Sequence, residues 1–569
     1  MARGSAVLSP ETELGGRPLR RRHAAVAAGT GLVLGLLALG PALAPGFVLA
    51  YDMVFVPHPV FDRETFGLTG MLPRHVPSDA VVTALSQVLP ADLVQKAILL
   101  AIFVIACVSA SALVPSERLT ARLAGGVVYA WNPFVAERLL LGQWALLLGY
   151  AALPWVVRAA ARGDPRRLIL SLVPAAIGGF AAMAVSGLVV LAIGLRREPP
   201  RLLLPLAGLL VMSLPWFVPS MELFSGVPAD PAGVTAFAAR ADTPFGTLGS
   251  LLLLGGGWNA ETVPPGYGAV VTAVPWLCVV LLALAAYAGR GTGTRGLGTA
   301  ALVGLFLAAL GAVAPGLLRG AIGLWPGFAV LRDGQQYLAP SALAVAVGTG
   351  LAVDRLGRWR PELAALALLV PVALLPGLAW GAGGRLAAVR YPADWARARA
   401  VVRADPGDVL VLPWEAYRSY PWNHGRRVLD PLPRFLPGRV ILNDAVRVGT
   451  TGRRDLRMAA EDPRARALGP LIRSGAPLTG ALRARGVRYV AVDAPESLGV
   501  PAERLAGTER VAAGPDLVLY RIPAVVPSRE KRVPQWPVEI AWFITFAVVV
   551  WSTRLPVGSL FARSSPKEP

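Results

Sequence analysis

The chain has 569 residues, of which 54% are hydrophobic and 16% charged, with a mean hydropathy of +0.55. Water-soluble domains are about a quarter charged, so this composition excludes a string of ordinary soluble domains and points to apolar runs of roughly 17 to 25 residues, the length that crosses a bilayer. The net charge of +20 does not imply nucleic acid: only three of the 55 basic residues are lysine (Lys96, Lys531, Lys567), and the arginines flank apolar runs or gather in one late segment.

Five basic residues, Arg17, Arg20, Arg21, Arg22 and His23, precede an apolar run from Ala24 to about Pro45. By the positive-inside rule the N-terminus is cytoplasmic and the following loop faces outward. Ala42-Leu43-Ala44 also fits a leader-peptide cleavage site, but the run is long for a leader, and an uncleaved anchor is expected. Residues 46–90 form the first outer loop and Ala91 to Leu113 the second span, after which a third rises to Trp131 and a fourth descends through Pro154-Trp155. Residues 168–195 read as two short helices broken near Gly178-Gly179 and Ser186-Gly187, followed by the basic turn Arg196, Arg197, Arg201. Further spans are expected near 202–219, 267–288, 299–317, 336–352 and 362–380. The fingerprint-like Gly291-x-Gly293-x-x-Gly296 follows a membrane helix rather than a strand, so it reads as a turn. Cys107 and Cys278 both sit inside apolar runs, which excludes a disulfide framework or a CxxC metal site.

Residues 383–535 lose the apolar runs. Strands are expected at Val409 to Leu412, Val440 to Leu442, Tyr489 to Val492 and Leu517 to Tyr520, with helices at Trp395 to Val402 and Leu471 to Arg485. The expected fold is a polytopic α-helical membrane protein of about twelve spans with a small α/β domain inserted before the last. It comprises a cytoplasmic tail 1–23, a multispan domain 24–382, an extracytoplasmic α/β domain 383–535, and a last span with cytoplasmic tail 536–569. The aromatic run from Pro413 to His424 suits either sugar stacking or packing against the membrane domain.

Unexplained polar residues collect on the outer side. The first outer loop carries Asp52, His58, Asp62, Glu64, Arg74, His75 and Asp79, and carboxylates at the outer membrane edge serve as general bases or metal ligands. A second group is Tyr129-Ala-Trp131-Asn132-Pro133-Phe134-Val-Ala-Glu137-Arg138, then Gly142-Gln143-Trp144 and Leu153-Pro154-Trp155. Glu137, Arg138 and Gln143 are costly beside lipid and are expected to face a polar cavity. A third is Leu331-Arg332-Asp333-Gly334-Gln335-Gln336-Tyr337.

An acidic residue after the first span, these three motifs and their order resemble the GT-C superfamily of membrane glycosyltransferases. Within it the likeness is to the membrane part of the actinobacterial arabinofuranosyltransferase D type and related multispan mannosyl- and arabinosyltransferases, over roughly residues 20–380. The resemblance implies transfer of a sugar, arabinofuranose or mannose, from a polyprenyl-phosphate donor to an envelope glycan or glycolipid on the outer face, with inversion and with Asp52 as base. Arg138 and Arg332 are the candidate phosphate contacts. His58, Asp62, Glu64, Asn132, Glu137, Gln143, Asp333 and Gln336 are the candidate cavity residues. A divalent cation is a possible cofactor, although the tight Asp-x-Asp pair of such enzymes is replaced by Asp62-Arg63-Glu64. The alternatives are a lipid-linked saccharide transporter or flippase, which internal inverted repeats would favour, and a catalytically silent scaffold for envelope assembly.

Overall fold

The computed structural model describes residues 17–69, 72–195, 200–221, 230–289, 295–445, 447–448, 456–493, 500, 502–526 and 534–554. Arg196, Arg197, the turn at 290–294 and the tail before residue 17 lie outside these residues. Among the described residues eight helices are long and apolar enough to cross a membrane, so the chain is a polytopic helical membrane protein. The principal helices are α1 (Arg17–Leu39), α2 (Ala91–Leu113), α3 (Leu119–Ala130), α4 (Pro133–Leu140), α5 (Trp144–Arg162), α6 (Pro165–Ile177), α7 (Gly179–Gly194), α8 (Pro200–Met221), α9 (Val270–Ala288), α10 (Arg295–Val313) and α11 (Ala339–Leu356).

Eight is fewer than the twelve expected because several apolar runs are short or interrupted. α3 has 12 residues, α6 has 13 and α7 has 16. The run at 362–380 is no single span: Pro361, Pro371 and Pro376 start separate short helices at Pro361–Leu366, Val370–Leu374 and Pro376–Leu378, because proline cannot donate to the preceding turn. The expected break at Gly178-Gly179 is present, but α7 passes straight through Ser186-Gly187.

Small residues let these helices approach closely. A Cβ at Gly348 of α11 would lie 2.0 Å from the Ala283 carbonyl of α9, and the buried Ser109 hydroxyl of α2 donates to the Ala151 carbonyl of α5 at 2.6 Å.

The segment that follows α1 is pinned to α2 by side chains that would otherwise be out of place in an apolar helix. Gln95, fully buried, accepts from the Val48 N–H at 2.9 Å and donates to the Val48 carbonyl at 2.8 Å. The Lys96 ammonium donates to the Gly46 carbonyl at 2.8 Å and pairs with Asp92 at 3.3 Å. Phe47–Val48 (β1) also pairs antiparallel with Ala388–Val389 (β2), the first residues beyond the multispan part.

Downstream, α12 (Ala393–Ala404) leads into β3 (Asp408–Leu412), β4 (Tyr417–Ser419), β5 (Arg427–Leu429) and β6 (Val440–Ile441). Helix α13 (Pro463–Arg473), β7 (Val487–Asp493), β8 (Glu509–Ala513) and β9 (Leu517–Arg521) follow, and α14 (Trp536–Thr553) is the last apolar helix. The sheet order is β8-β9-β7-β3-β6, parallel across β7-β3-β6 and antiparallel at β8-β9-β7. All four expected strands are present, whereas the helix expected over Leu471 to Arg485 is two, with Ser474 to Leu478 between α13 and Thr479–Ala484. Arg418 of β4 is buried at 3.0 Å from Asp430 and 3.8 Å from Asp493, so its charge is compensated inside the sheet layer.

Gln95→Leu leaves the Val48 N–H and carbonyl unpaired in a dry environment, a cost of about 1–3 kcal/mol for each. Thermal unfolding of the purified protein in detergent is expected to show a melting point several degrees lower. An unchanged melting point would mean that the β1–β2 pairing alone holds this segment.

Candidate functional site

Asp52 sits where three parts of the chain meet. The Tyr51 N–H donates to the Arg427 carbonyl at 2.8 Å, and the Leu429 N–H returns a bond to the Tyr51 carbonyl at 2.8 Å, so β5 runs alongside the loop. The Asp52 N–H donates to the Leu141 carbonyl at 3.1 Å. Gly142 makes that approach possible: its φ is +79°, and a Cβ there would stand 2.2 Å from the Met53 nitrogen. No side chain fits, which gives the glycine of the Gly-Gln-Trp motif a steric reason.

The Asp52 carboxylate accepts from the Tyr417 hydroxyl of β4 at 2.6 Å. Burial lifts its pKa above the ordinary carboxylate value; the Tyr417 bond and the Arg74 guanidinium oppose that rise, and the Asp333 carboxylate adds to it. A carboxyl lifted in this way is a stronger base once ionised than one in water.

Arg138, 3% exposed, donates to Gln143 Oε1 at 2.8 Å and pairs with Asp333 at 3.2 Å, with its guanidinium 5.6 Å from the Phe134 ring. The structure therefore brings together Asp52, Arg138, Gln143 and Asp333. Arg332 is placed differently. Its Nε donates to the Ala329 carbonyl at 3.0 Å and Nη1 to the Asp230 carbonyl at 3.5 Å. Burial and the neighbouring Arg74 pull its pKa down, while Glu461 and Asp230 oppose them. Arg74 thus lies within electrostatic reach of both Asp52 and Arg332, and it pairs with Glu461 at 2.6 Å.

Other expected cavity residues have structural work instead. Asn132 is fully buried as the N-cap of α4: it accepts from the Val135 N–H at 3.1 Å and donates to the carbonyls of Val128 and Tyr129 and to the Tyr150 hydroxyl. Gln336 is 4% exposed, packed where the chain enters α11. His58 is exposed, and its carbonyl accepts from Arg399 of α12. Asp62 caps the next turn by accepting from the Thr65 N–H and hydroxyl, both at 2.9 Å. Glu64 lines a small cavity of about 40 Å³ with Asp79 and Arg434, which pair at 2.7 Å. Burial first, then Asp62, lifts the Glu64 carboxyl to about 8.

Glu137 is engaged by the 255–257 segment. Its Oε2 accepts from the Gly257 N–H at 3.0 Å, and its carboxyl stands beside that of Asp242, which in turn accepts from the Gly256 N–H at 2.6 Å. Two buried carboxyls in contact cannot both ionise. Burial and Asp242 drive Glu137 well above its ordinary value, and burial lifts Asp242 to about 6. Asp242 and Tyr417 were not legible as site residues, because they reach Glu137 and Asp52 from 105 and 365 positions away. Among the described residues no three His, Cys, Asp or Glu side chains come together as a metal-binding group.

The shared proton sets a pH dependence of stability. A folded-state pKa raised from 3.8 to about 6 stabilises the fold below the unfolded value, and that contribution is lost as pH rises through about 6. The melting temperature is expected to fall between pH 4 and 6, and Glu137→Gln, which donates to an ionised Asp242 without needing a proton, is expected to flatten that fall. Identical pH profiles for the two proteins would rule the shared proton out.

No family model matches the chain, and no curated protein matches it. Solved structures do. The cryo-EM structure of arabinofuranosyltransferase AftD from Mycobacteria superposes with a TM-score of 0.58 at 19% identity, covering 88% of this chain and 40% of that one. Its R1389S mutant gives 0.56 at 18% identity, covering 90% and 42%. The crystal structure of ArnT from Cupriavidus metallidurans gives 0.43 at 15% identity. The chain spans about two fifths of the length of the arabinofuranosyltransferase it matches, and over that span it shares that protein's fold.

Proposed function

We propose that this protein is a membrane glycosyltransferase that moves a sugar from a polyprenyl-phosphate donor to an envelope glycan or glycolipid at the outer face of the plasma membrane. In this reading both termini are cytoplasmic and the α/β domain lies outside. The observation that carries it is the half-buried Asp52 carboxylate, held by Tyr417 beside Asp333, Arg138 and Arg74, on a backbone that shares its fold with an arabinofuranosyltransferase.

The chemistry asks for one base and one cluster of cations. Asp52 takes the proton of the acceptor hydroxyl as its oxygen attacks the anomeric carbon from the face opposite the phosphate. The bond from that carbon to the phosphate oxygen breaks, the electron pair leaves with the phosphate, and the configuration inverts through an oxocarbenium-like transition state. Phosphate needs no proton to leave, so no second catalytic acid is required. Arg332, held by the Ala329 and Asp230 carbonyls, is the phosphate contact in this reading, since Arg138 is engaged by Asp333 and Gln143 and Arg74 by Glu461; Arg138 then positions Asp333 at the edge of the site. Arabinofuranose and mannose are the donor sugars we favour.

Asp52→Asn keeps a hydrogen-bonding group for Tyr417 but removes the base. It is expected to lower transfer from polyprenyl-phosphate sugars in purified membranes by at least about a hundredfold; full transfer would remove Asp52 from the reaction. Tyr417→Phe takes away a bond that stabilises the carboxylate. The rising limb of the pH–rate profile is therefore expected to move to higher pH by about one unit, with the fold intact, and a downward or absent shift would separate Tyr417 from the base. Because Tyr417 and Arg138 already occupy Asp52 and Asp333, a chelator is expected to leave the rate within about twofold. A larger loss restored by Mg²⁺ or Mn²⁺ would place a divalent cation on these carboxylates.

A further inference from the structure

A cavity of about 510 Å³ lies at the seam between the multispan part and the late domain, beside Tyr51, and Asp52 does not line it. Its wall carries three guanidiniums, Arg385, Arg426 and Arg427, against one carboxylate, Glu261. The Tyr51 hydroxyl donates to Glu261, and Arg427 stands 3.8 Å from the same carboxylate. Burial first, then the bond to Glu261, lifts the Tyr51 phenol to about 12, so it stays a neutral donor.

The other two arginines are fixed without being neutralised. Arg385 donates to the carbonyls of Glu261 at 3.1 Å and Val263 at 2.8 Å. Arg426 donates to those of Asn423 at 3.1 Å, Arg385 at 3.2 Å and Ala387 at 2.8 Å. Its Nη2 is buried and has no hydrogen-bond partner among the described residues. Carbonyl dipoles hold the guanidinium planes in place, yet among the described residues the two charges have no carboxylate partner. A buried donor without an acceptor is costly, and a concave wall of one sign concentrates ions of the other.

The backbone at the rim is strained. Trp380, Gly381, Ala382 and Gly383 have φ of 55°, 68°, 50° and 69°, a left-handed turn closed by the Leu386 N–H donating to the Gly381 carbonyl at 2.8 Å. Two of the four residues carry a side chain, and each costs about 1–2 kcal/mol in this conformation. The turn delivers Gly383, Gly384 and Arg385 directly to the cavity wall.

We propose that this cavity is an anion site that takes the phosphoryl group of a phosphorylated saccharide or of a lipid headgroup. Guanidinium forks match phosphate oxygens two at a time, and Arg426, which lines the wall, keeps one buried Nη2 donor without an acceptor among the described residues. The site does not depend on Asp52 chemistry, so it and the transferase reading can fail separately.

The test uses the purified full-length protein in nanodiscs and reads the dissociation constant of three probes: inorganic pyrophosphate, a soluble sugar 1-phosphate, and polyprenyl phosphate incorporated in the disc. Arg427 is half exposed and pairs with Glu261 at 3.8 Å, so Arg427→Gln is expected to keep the unliganded melting temperature, weaken probe binding about tenfold, and be partly rescued by Arg427→Lys, which restores the charge without the fork. Arg426→Gln is expected to weaken it at least as much, and Asp52→Asn is expected to bind like the parent protein. Capture of the soluble phosphates, weakened by the arginine variants, identifies a saccharide phosphate as the ligand; capture of polyprenyl phosphate alone, weakened by the same variants, identifies a lipid headgroup. Equal affinity in the parent protein and both arginine variants, or no binding of any probe, overturns the proposal.

Discussion

The site depends on how one stretch of backbone, residues 46 to 57, is tied down. A buried carboxylate pays a desolvation cost that its surroundings must repay, and they can do so only if the carboxylate does not move away. Here the backbone groups are tied one after another. Gly46 and Val48 are held by Lys96 and Gln95 of α2, Tyr51 by β5 and Asp52 by the Leu141 carbonyl. Tyr391 donates to the Phe55 carbonyl at 2.9 Å and Arg399 to the Pro57 carbonyl at 2.7 Å. The restraints come alternately from the membrane helices and from the late domain, so neither alone fixes Asp52.

That division explains which features could be read from the sequence. The apolar runs at Ala91 to Leu113 and 202–219, and the β-rich stretches around 409, 489 and 517, were legible because burial imposes its period locally. Asp52 was legible because an acid just beyond a span is conspicuous, and Gly142 because it belongs to a recognisable motif. The proline-cut run near 362–380 was misjudged because mean apolarity conceals where helices stop. Tyr417 and Asp242 could not be found, since nothing near Asp52 or Glu137 in sequence announces a partner hundreds or a hundred residues away. The Trp-Asn-Pro-Phe run had a signal that admitted two meanings: Asn132 and Pro133 start a helix, and the aromatic rings of Phe134 and Tyr150 stack 5.1 Å apart beneath it. The motif builds the support on which Arg138 stands.

The same logic assigns a use to the buried Glu137–Asp242 pair. An ionised Glu137 would sit one residue from Arg138 and draw its positive charge inward. With the pair sharing a proton, the charge of Arg138 is left to Asp333, whose side chain is 25% exposed at the edge of the site. The carboxyl pair, a liability in a dry interior, therefore leaves Arg138 to hold Asp333 at the edge of the site.

Charge is distributed unequally between the two polar regions that Tyr51 separates. Around Asp52, Arg138 faces Asp333 and Arg74 faces Glu461, so positive and negative groups nearly balance. In the neighbouring cavity three guanidiniums meet one carboxylate. An approaching anion is consequently drawn first to the seam between the two parts of the chain, where positive charge is in excess and Coulomb attraction in a partly dry wall is strong. Tyr51 connects the two regions physically: its hydroxyl donates to Glu261 of the cavity, its ring lies 6.2 Å from that of Tyr417, and its backbone continues into Asp52. Arg427 and the Tyr51 hydroxyl share the Glu261 carboxylate, so a ligand that drew Arg427 away would leave that carboxylate to Tyr51.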